Sequence, residues 1–341
     1  MPDNVLAFLA ALGVALLVTP VVIAFARRTG ALDKPDARKV HVRPIPRIGG
    51  IGIYAAFMVS ILIQLTFVDL SAEYMMSLIG LMTGGTIIVA IGIIDDYCDL
   101  PAKVKLLGQI AAAAVVVIGF DVRIDVITDP LGDYIYLEFL AIPATIFWIV
   151  GLTNTVNLID GLDGLAAGIS SIAAVTIFLV AMEEGIPTVA MVTIALAGAA
   201  VGFLYYNFNP ARIFMGDTGS MFLGFMLAGI SVVGAVKSAA TIALIVPILD
   251  TTFAIVRRAR NHRPIFKPDK GHLHHRLLAH GFSQKQAVLL MYVVSALFGL
   301  CALALTAVSM QAATLIILIV AAAVFVGARK LGILGMDAPQ K

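Results

Sequence analysis

Asn154-Thr155-Val156-Asn157-Leu158-Ile159-Asp160-Gly161-Leu162-Asp163-Gly164-Leu165-Ala166-Ala167-Gly168 sets two amides and two carboxylates three residues apart among glycine, threonine and aliphatic residues. Long apolar runs flank it on both sides, in a chain whose mean hydropathy is +1.01. Ionisable side chains beside apolar spans are costly and mark function by default. At helical spacing Asn157, Asp160 and Asp163 share one face, and the glycines let a ligand approach the backbone. Amides together with carboxylates suit a hard cation and a polar substrate. A capped helix start in a polar loop would use the same residues, and the stretch alone does not separate the two readings.

Hydrophobic residues make up 60% of the 341 and charged residues 13%, against roughly half and a quarter in soluble domains. This predicts an all-α, polytopic integral membrane protein. Cys98 and Cys301 lie far apart, giving neither a disulfide framework nor a metal spacing, and both are expected in the core. The first apolar run has no basic region before it and no small-residue cleavage site, so it is expected to be a retained span.

A spanning helix needs about 20 apolar residues. Eleven such runs are expected near 4–26, 48–68, 75–94, 106–120, 138–153, 164–182, 187–205, 219–236, 238–256, 286–308 and 311–328. Of the 23 Lys and Arg, all but Arg123 and Lys237 fall in alternate connections. Arg27, Arg28, Lys34, Arg38, Lys39, Arg43 and Arg47 lead, then Lys103 and Lys105, Arg212, the run from Arg257 to Lys285, and Arg329, Lys330 and Lys341. The positive-inside rule then predicts an outside N-terminus and a cytoplasmic C-terminus. Every unusual polar motif falls on the cytoplasmic side of one domain covering 1–341, in loops near 27–50, 95–109, 154–168, 207–220 and 257–285. In the last loop a helix is expected across His272 to His280, stopped by Gly281, with Ser283 and Gln286 as a capping box for the next span.

Asp95 and Asp96 end a span, where two adjacent carboxylates face an unfavourable helix dipole and each other. They need a cation, and Lys103 and Lys105 are nearest in sequence. Asp217 sits in Gly216-Asp217-Thr218-Gly219-Ser220, which opens a span, so free backbone N–H groups would form an anion site beside a metal ligand; in the plainer reading Thr218 is an N-cap. Phe214, just before, can stack on a base. His272, His274 and His275 crowd beside Arg257, Arg258, Arg260 and Arg263, and so basic a loop favours phosphate over zinc. Asp250 lies inside a span near Pro247 and is expected to pair with an arginine or with backbone groups freed at the proline. Carboxylates and an amide for a metal, cations for phosphates and an aromatic for a ring are the equipment of phosphoryl transfer from a nucleotide donor to a lipid acceptor.

These residues resemble the polyprenyl-phosphate N-acetylhexosamine-1-phosphate transferases over nearly the whole chain. Asp95-Asp96 with Lys105-Leu106-Leu107-Gly108-Gln109 is similar to the family's first aspartate motif, and Asn157 to Gly164 to its second. Phe214 to Ser220 and His272-Leu273-His274-His275 are similar to the third and fourth. Pro46-Arg47-Ile48-Gly49-Gly50 and the compact basic loop look more like the WecA/TagO branch, which uses UDP-GlcNAc, than the MraY branch, which uses UDP-MurNAc-pentapeptide. The resemblance implies a bacterial cytoplasmic-membrane enzyme that starts a cell-envelope polysaccharide by moving GlcNAc-1-phosphate onto undecaprenyl phosphate. It implies Mg²⁺, with Mn²⁺ as alternative, on Asp217 and Asn157, and Asp95 and Asp96 at the reacting phosphates. It implies that Asp163 reads uracil, that Phe214 stacks on it, and that Lys105, Arg258, Arg260, His272, His274 and His275 hold the diphosphate or sugar. Asp160 is implied to be catalytic without a defined role. Membrane lipid is an expected partner and nucleic acid is not; homodimerisation stays open, as does the choice between one displacement and a covalent route through Asp95 or Asp96.

A secondary transporter is the rival from another class, but only Asp250 lies inside a span and no repeat is visible. A structural or lipid-binding membrane protein would leave the carboxylates at one surface without a purpose.

Overall fold

A computed structural model of the chain describes residues 2–33, 44–128, 133–261 and 271–308, with scattered positions between 312 and 326. The helices are α1 (Pro2–Thr29), α2 (Gly50–Gln64), α3 (Ala72–Cys98), α4 (Ala102–Ala114), α5 (Ala141–Ile159), α6 (Leu165–Glu183), α7 (Pro187–Asn207), α8 (Gly216–Val233), α9 (Lys237–Ala243), α10 (Ile245–Arg260), α11 (Leu273–Ala279) and α12 (Gln284–Leu305). Two short antiparallel ribbons complete it. In one, β1 (Leu32–Asp33) pairs with β2 (Ile45–Pro46); in the other, β3 (Val126–Thr128) pairs with β4 (Tyr134–Tyr136).

Eight helices are long and apolar enough to cross a membrane, and a ninth crossing exists if α9 and α10, bent by 73°, count as one. Among the described residues this is fewer than the expected eleven. The run near 48–68 yields only the 15 residues of α2, too few for a full crossing at 1.5 Å per residue. The run near 238–256 breaks at Leu244 because Pro247 has no N–H for the Ala243 carbonyl. The run near 311–328 lies outside the continuously described residues, as do Lys34, Arg38, Lys39, Arg43 and Arg263.

The most hydropathic spans, α1 and α12, are among the least buried, whereas α8, the least hydropathic, is the most buried. From Thr218 to Val232 every residue of α8 is buried, flanked by α3 and α5, while α6 packs on α7 and α12 on α6 and α9. Trp148 spends its one polar atom on Ser231, donating from Nε1 to Oγ at 3.0 Å. The cysteines correct another expectation: Cys98 is exposed at the end of α3 and Cys301 is half-buried on an outer helix. The expected capping box of Ser283 and Gln286 opens α12, and Gly281 follows α11 with φ of 90°, a conformation glycine adopts without strain.

One backbone contact fixes the site end of the bundle. A Cβ on Gly50 would stand 2.1 Å from the Gly219 nitrogen and 2.4 Å from its Cα. The first turns of α2 and α8 therefore meet backbone to backbone, which draws the Arg47 segment over the start of α8.

Candidate active site

The helix ends carrying Arg27, Asp96, Asp160, Asn207, Asp217 and Gln284 surround one cavity of about 840 Å³, into which Asp163, Phe214 and His275 also project. Five loops distant in sequence thus share one face of the bundle.

Asp96 is buried at the end of α3 and accepts hydrogen bonds from the backbone N–H of Asp217 at 3.0 Å and of Thr218 at 3.1 Å, and from Thr218 Oγ1 at 2.6 Å. Arg47 Nε adds a fourth contact at 3.3 Å. The α8 N-terminus is indeed an anion site, but its anion is the chain's own carboxylate, which caps the helix and meets its dipole. The turn demands glycine: Gly216 has φ of 69°, and a Cβ there would meet the Arg47 carbonyl at 2.0 Å. Of the cations expected beside Asp95 and Asp96, Lys105 is present and Lys103 is not. The second is Arg47, which also reaches Asp99 at 3.2 Å. Asp96 and Asp99 hold its guanidinium above its ordinary range against the opposing effect of burial.

Asp217 is the hub. Its Oδ1 accepts from Asn157 Nδ2 at 3.1 Å, and the same amide donates to Ser220 Oγ at 2.9 Å. Its Oδ2 pairs with the Lys105 ammonium, which reaches Asp95 Oδ2 at 2.8 Å. Asp95 Oδ1 accepts from the Leu100 N–H at 2.8 Å. Asn154 turns away, donating to Gln109 Oε1 at 2.6 Å.

Among the described residues no three His, Cys, Asp or Glu side chains form a ready-made metal centre. The donor set still suits Mg²⁺, which prefers one or two carboxylates plus water and substrate phosphate to an all-protein cage. Asp95 and Asp217 already accommodate one cation between them, the Lys105 ammonium.

The Asp160–Gly164 loop is pinned from three sides. Asp163 Oδ2 accepts from Asn209 Nδ2 at 2.9 Å and from the Ala211 N–H at 3.0 Å, and Asn209 is steadied by Gln284 Oε1 at 2.8 Å. The Gly164 N–H donates to Asn207 Oδ1 at 3.1 Å and its carbonyl accepts from Tyr292 Oη. His274 packs directly on Gly161. The Asp160 carboxylate accepts no hydrogen bond from the described residues and opens into the cavity. Burial, reinforced by Asp217, Asp96 and Asp163, pushes its carboxyl up to about 8.

The histidine triplet divides. His272 Nδ1 meets Asp250 Oδ2 at 2.8 Å, and Asp250 Oδ1 accepts from the Leu273 N–H at 2.7 Å. Asp250 thus caps α11, instead of pairing with an arginine. His274 is buried, and His275 alone lines the cavity. Burial, assisted by His275 and His272 and opposed by Asp250, pushes His274 down to about 3. Its ring is neutral at physiological pH and carries no charge for a phosphate. A depressed histidine contributes stability that is complete above its ordinary value of about 6.5 and declines as pH falls toward 3. Thermal midpoints should therefore drop more steeply from pH 6.5 to 4 in the wild type than in His274→Gln; parallel slopes would refute this.

Arg258 is buried and Arg260 exposed, and neither lines the cavity. The arginines that do are Arg27, Arg47 and Arg212. In the sequence they are marked only as charges of the cytoplasmic side, Arg47 also within Pro46-Arg47-Ile48-Gly49-Gly50. Asn207 and Asn209 were missed as well; before Pro210 they read as ordinary turn residues.

A carboxylate-lined, arginine-rimmed cavity at one end of an apolar helix bundle defines a polytopic membrane protein equipped for phosphorylated substrates. Residues 78–235 match the glycosyl transferase family 4. The chain is 40% identical to the probable undecaprenyl-phosphate N-acetylglucosaminyl 1-phosphate transferase of Bacillus subtilis, over 92% of this chain and 88% of that one. It is 30% identical to the undecaprenyl-phosphate alpha-N-acetylglucosaminyl 1-phosphate transferase of Thermotoga maritima, over 84% and 86%. A phospho-N-acetylmuramoyl-pentapeptide-transferase of Staphylococcus carnosus is 31% identical, over 87% and 97%. The chain belongs to glycosyl transferase family 4.

Proposed function

We propose that the protein transfers N-acetylglucosamine 1-phosphate from UDP-GlcNAc to undecaprenyl phosphate at the cytoplasmic face of a bacterial cytoplasmic membrane, as the first step of a cell-envelope polysaccharide. The observation that carries this is the convergence of Asp96, Asp160, Asp163 and Asp217 with Arg27, Arg47 and Arg212 on one cavity at the end of a membrane bundle. The names of the Bacillus subtilis and Thermotoga maritima relatives support the acceptor class and the sugar.

A phosphate oxygen of the acceptor attacks the β-phosphorus of the donor. One P–O bond forms, the bond to the bridging oxygen breaks, and UMP leaves with that oxygen, giving undecaprenyl-diphospho-GlcNAc. The acceptor phosphate is largely dianionic near neutral pH and needs no strong base. Asp217 and Asp95 would hold Mg²⁺, or Mn²⁺ in its place, with Asn157 orienting Asp217. When bound, the ion supplies charge neutralisation at the diphosphate. Asp96, saturated by its contacts to Arg47, Asp217 and Thr218, serves as a positioning residue, which favours a single displacement over a covalent route through it. Asp160 retains its proton until substrate arrives and donates it in a hydrogen bond to a phosphate oxygen. Asp163, with one oxygen still available among the described residues, takes the uracil, and Phe214 stacks beside it. Arg27, Arg212 and His275 are the groups at hand for phosphate and sugar, in preference to Arg258, Arg260, His272 and His274.

Purified protein given labelled UDP-GlcNAc and undecaprenyl phosphate should form labelled lipid with Mg²⁺ and none with chelator. Transfer from UDP-MurNAc-pentapeptide but not from UDP-GlcNAc would move the chain to the other branch of its family. Solute uptake by proteoliposomes with no lipid product would sink the transferase reading.

A further inference from the structure

Both carboxylate oxygens of Asp217 are in use. Oδ1 accepts from Asn157 Nδ2 at 3.1 Å, and Oδ2 pairs with Lys105, whose ammonium also reaches Asp95 Oδ2 at 2.8 Å. Lys105 lies in the first turn of α4, where the helix dipole disfavours a cation. The helix gains nothing from a lysine at that place; the two carboxylates hold it there. A divalent cation and an ammonium repel at contact distance, so one site cannot keep both. Of the two groups on Asp217, the Asn157 amide is neutral and also tied to Ser220 Oγ at 2.9 Å. The ammonium is charged, and its flexible four-carbon stem lets it move while the backbone stays still.

We propose that Lys105 is the internal counter-ion of this site, neutralising Asp95 and Asp217 in the substrate-free protein and leaving both when a divalent cation binds. The inference rests on the phosphoryl-transfer reading and adds that cation and lysine exchange. The released ammonium stays tethered within reach of the arriving diphosphate, which supplies the anion it has just given up. Metal and nucleotide therefore favour each other's binding, and by linkage the effect is reciprocal.

The test is Mn²⁺ titration of the purified full chain, read by the electron paramagnetic resonance signal of the free ion, without nucleotide and then with UDP. Removing a charge-assisted contact that competes with the metal should tighten Mn²⁺ binding about tenfold in Lys105→Gln without nucleotide. The same variant should lose most of the enhancement that UDP produces in the wild type. Lys105→Met should behave alike, and Asp217→Asn should bind weakly throughout. Thermal midpoints provide a second readout, since without metal both lysine variants leave Asp95 and Asp217 uncompensated. Their midpoints should fall below wild type and recover with Mn²⁺, and a loss that Mn²⁺ does not recover overturns the exchange. Equal or weaker Mn²⁺ binding by both lysine variants also overturns it and leaves the transferase reading standing. No Mn²⁺ binding by wild type or variants, with or without UDP, overturns both.

Discussion

Asp217→Asn should lower transfer by about 10³-fold, because the change removes the one carboxylate that joins Asn157, Lys105 and the α8 N-terminus at the place where phosphate charge must be met. The substitution is nearly isosteric and the new side chain can still accept from Asn157, so the thermal midpoint should move little. A radiolabel transfer assay, run beside thermal unfolding in the same detergent, separates chemistry from folding. Retention of more than about a tenth of wild-type turnover would remove Asp217 from the centre of the site.

Gly50→Ala should reduce stability and activity together. The added methyl would lie 2.1 Å from the Gly219 nitrogen and 2.5 Å from the Thr218 carbonyl carbon. These are backbone atoms that no rotamer change can clear, so α2 and α8 have to part. The cost is at or above the upper end of overpacking, about 3 kcal/mol. The same displacement pulls Arg47 from Asp96 and disturbs the cap that sets Asp217. A wild-type midpoint in Gly50→Ala, with wild-type transfer, would mean that the two helices do not meet as described. If only transfer falls, the contact serves alignment more than stability.

Much of the site was legible because its residues violate the surrounding composition. Asp95, Asp96, Asp160, Asp163 and Asp217 are expensive beside apolar helices, and a chain so poor in charge retains such groups where they are used. The capping box at Ser283 and the helix across His274 were readable for a different reason, since both depend on residues three or four apart. Apart from Lys105 beside Asp95, partners were not readable. Arg47 meets Asp96 from 49 residues away, Asp217 draws Lys105 from 112 residues away, and His272 finds Asp250 across 22. Spacing pointed to Lys103 as much as to Lys105, and to phosphate-binding histidines, because it ranks candidates by distance along the chain. The fold ranks them by which helix ends meet. Two of the expected spans differ for a related reason: hydropathy counts apolar residues but does not register that α2 ends after 15 residues or that Pro247 splits its run.

By itself the sequence determined the class of the protein and the chemistry available to it. A composition of 60% hydrophobic residues demands helices in lipid, and Lys and Arg falling almost wholly in alternate connections, together with the unusual carboxylate and amide motifs, point to a polar site at one end of them. Tertiary structure decided the role of each polar group. Asp96 became the cap of α8, His274 a neutral support under Gly161, Asp250 the cap of α11, and Asp160 a cavity carboxylate that accepts no hydrogen bond from the described residues. A carboxylate's work depends on the donors within about 3 Å of it, and in a bundle of long helices those donors arrive from other helices.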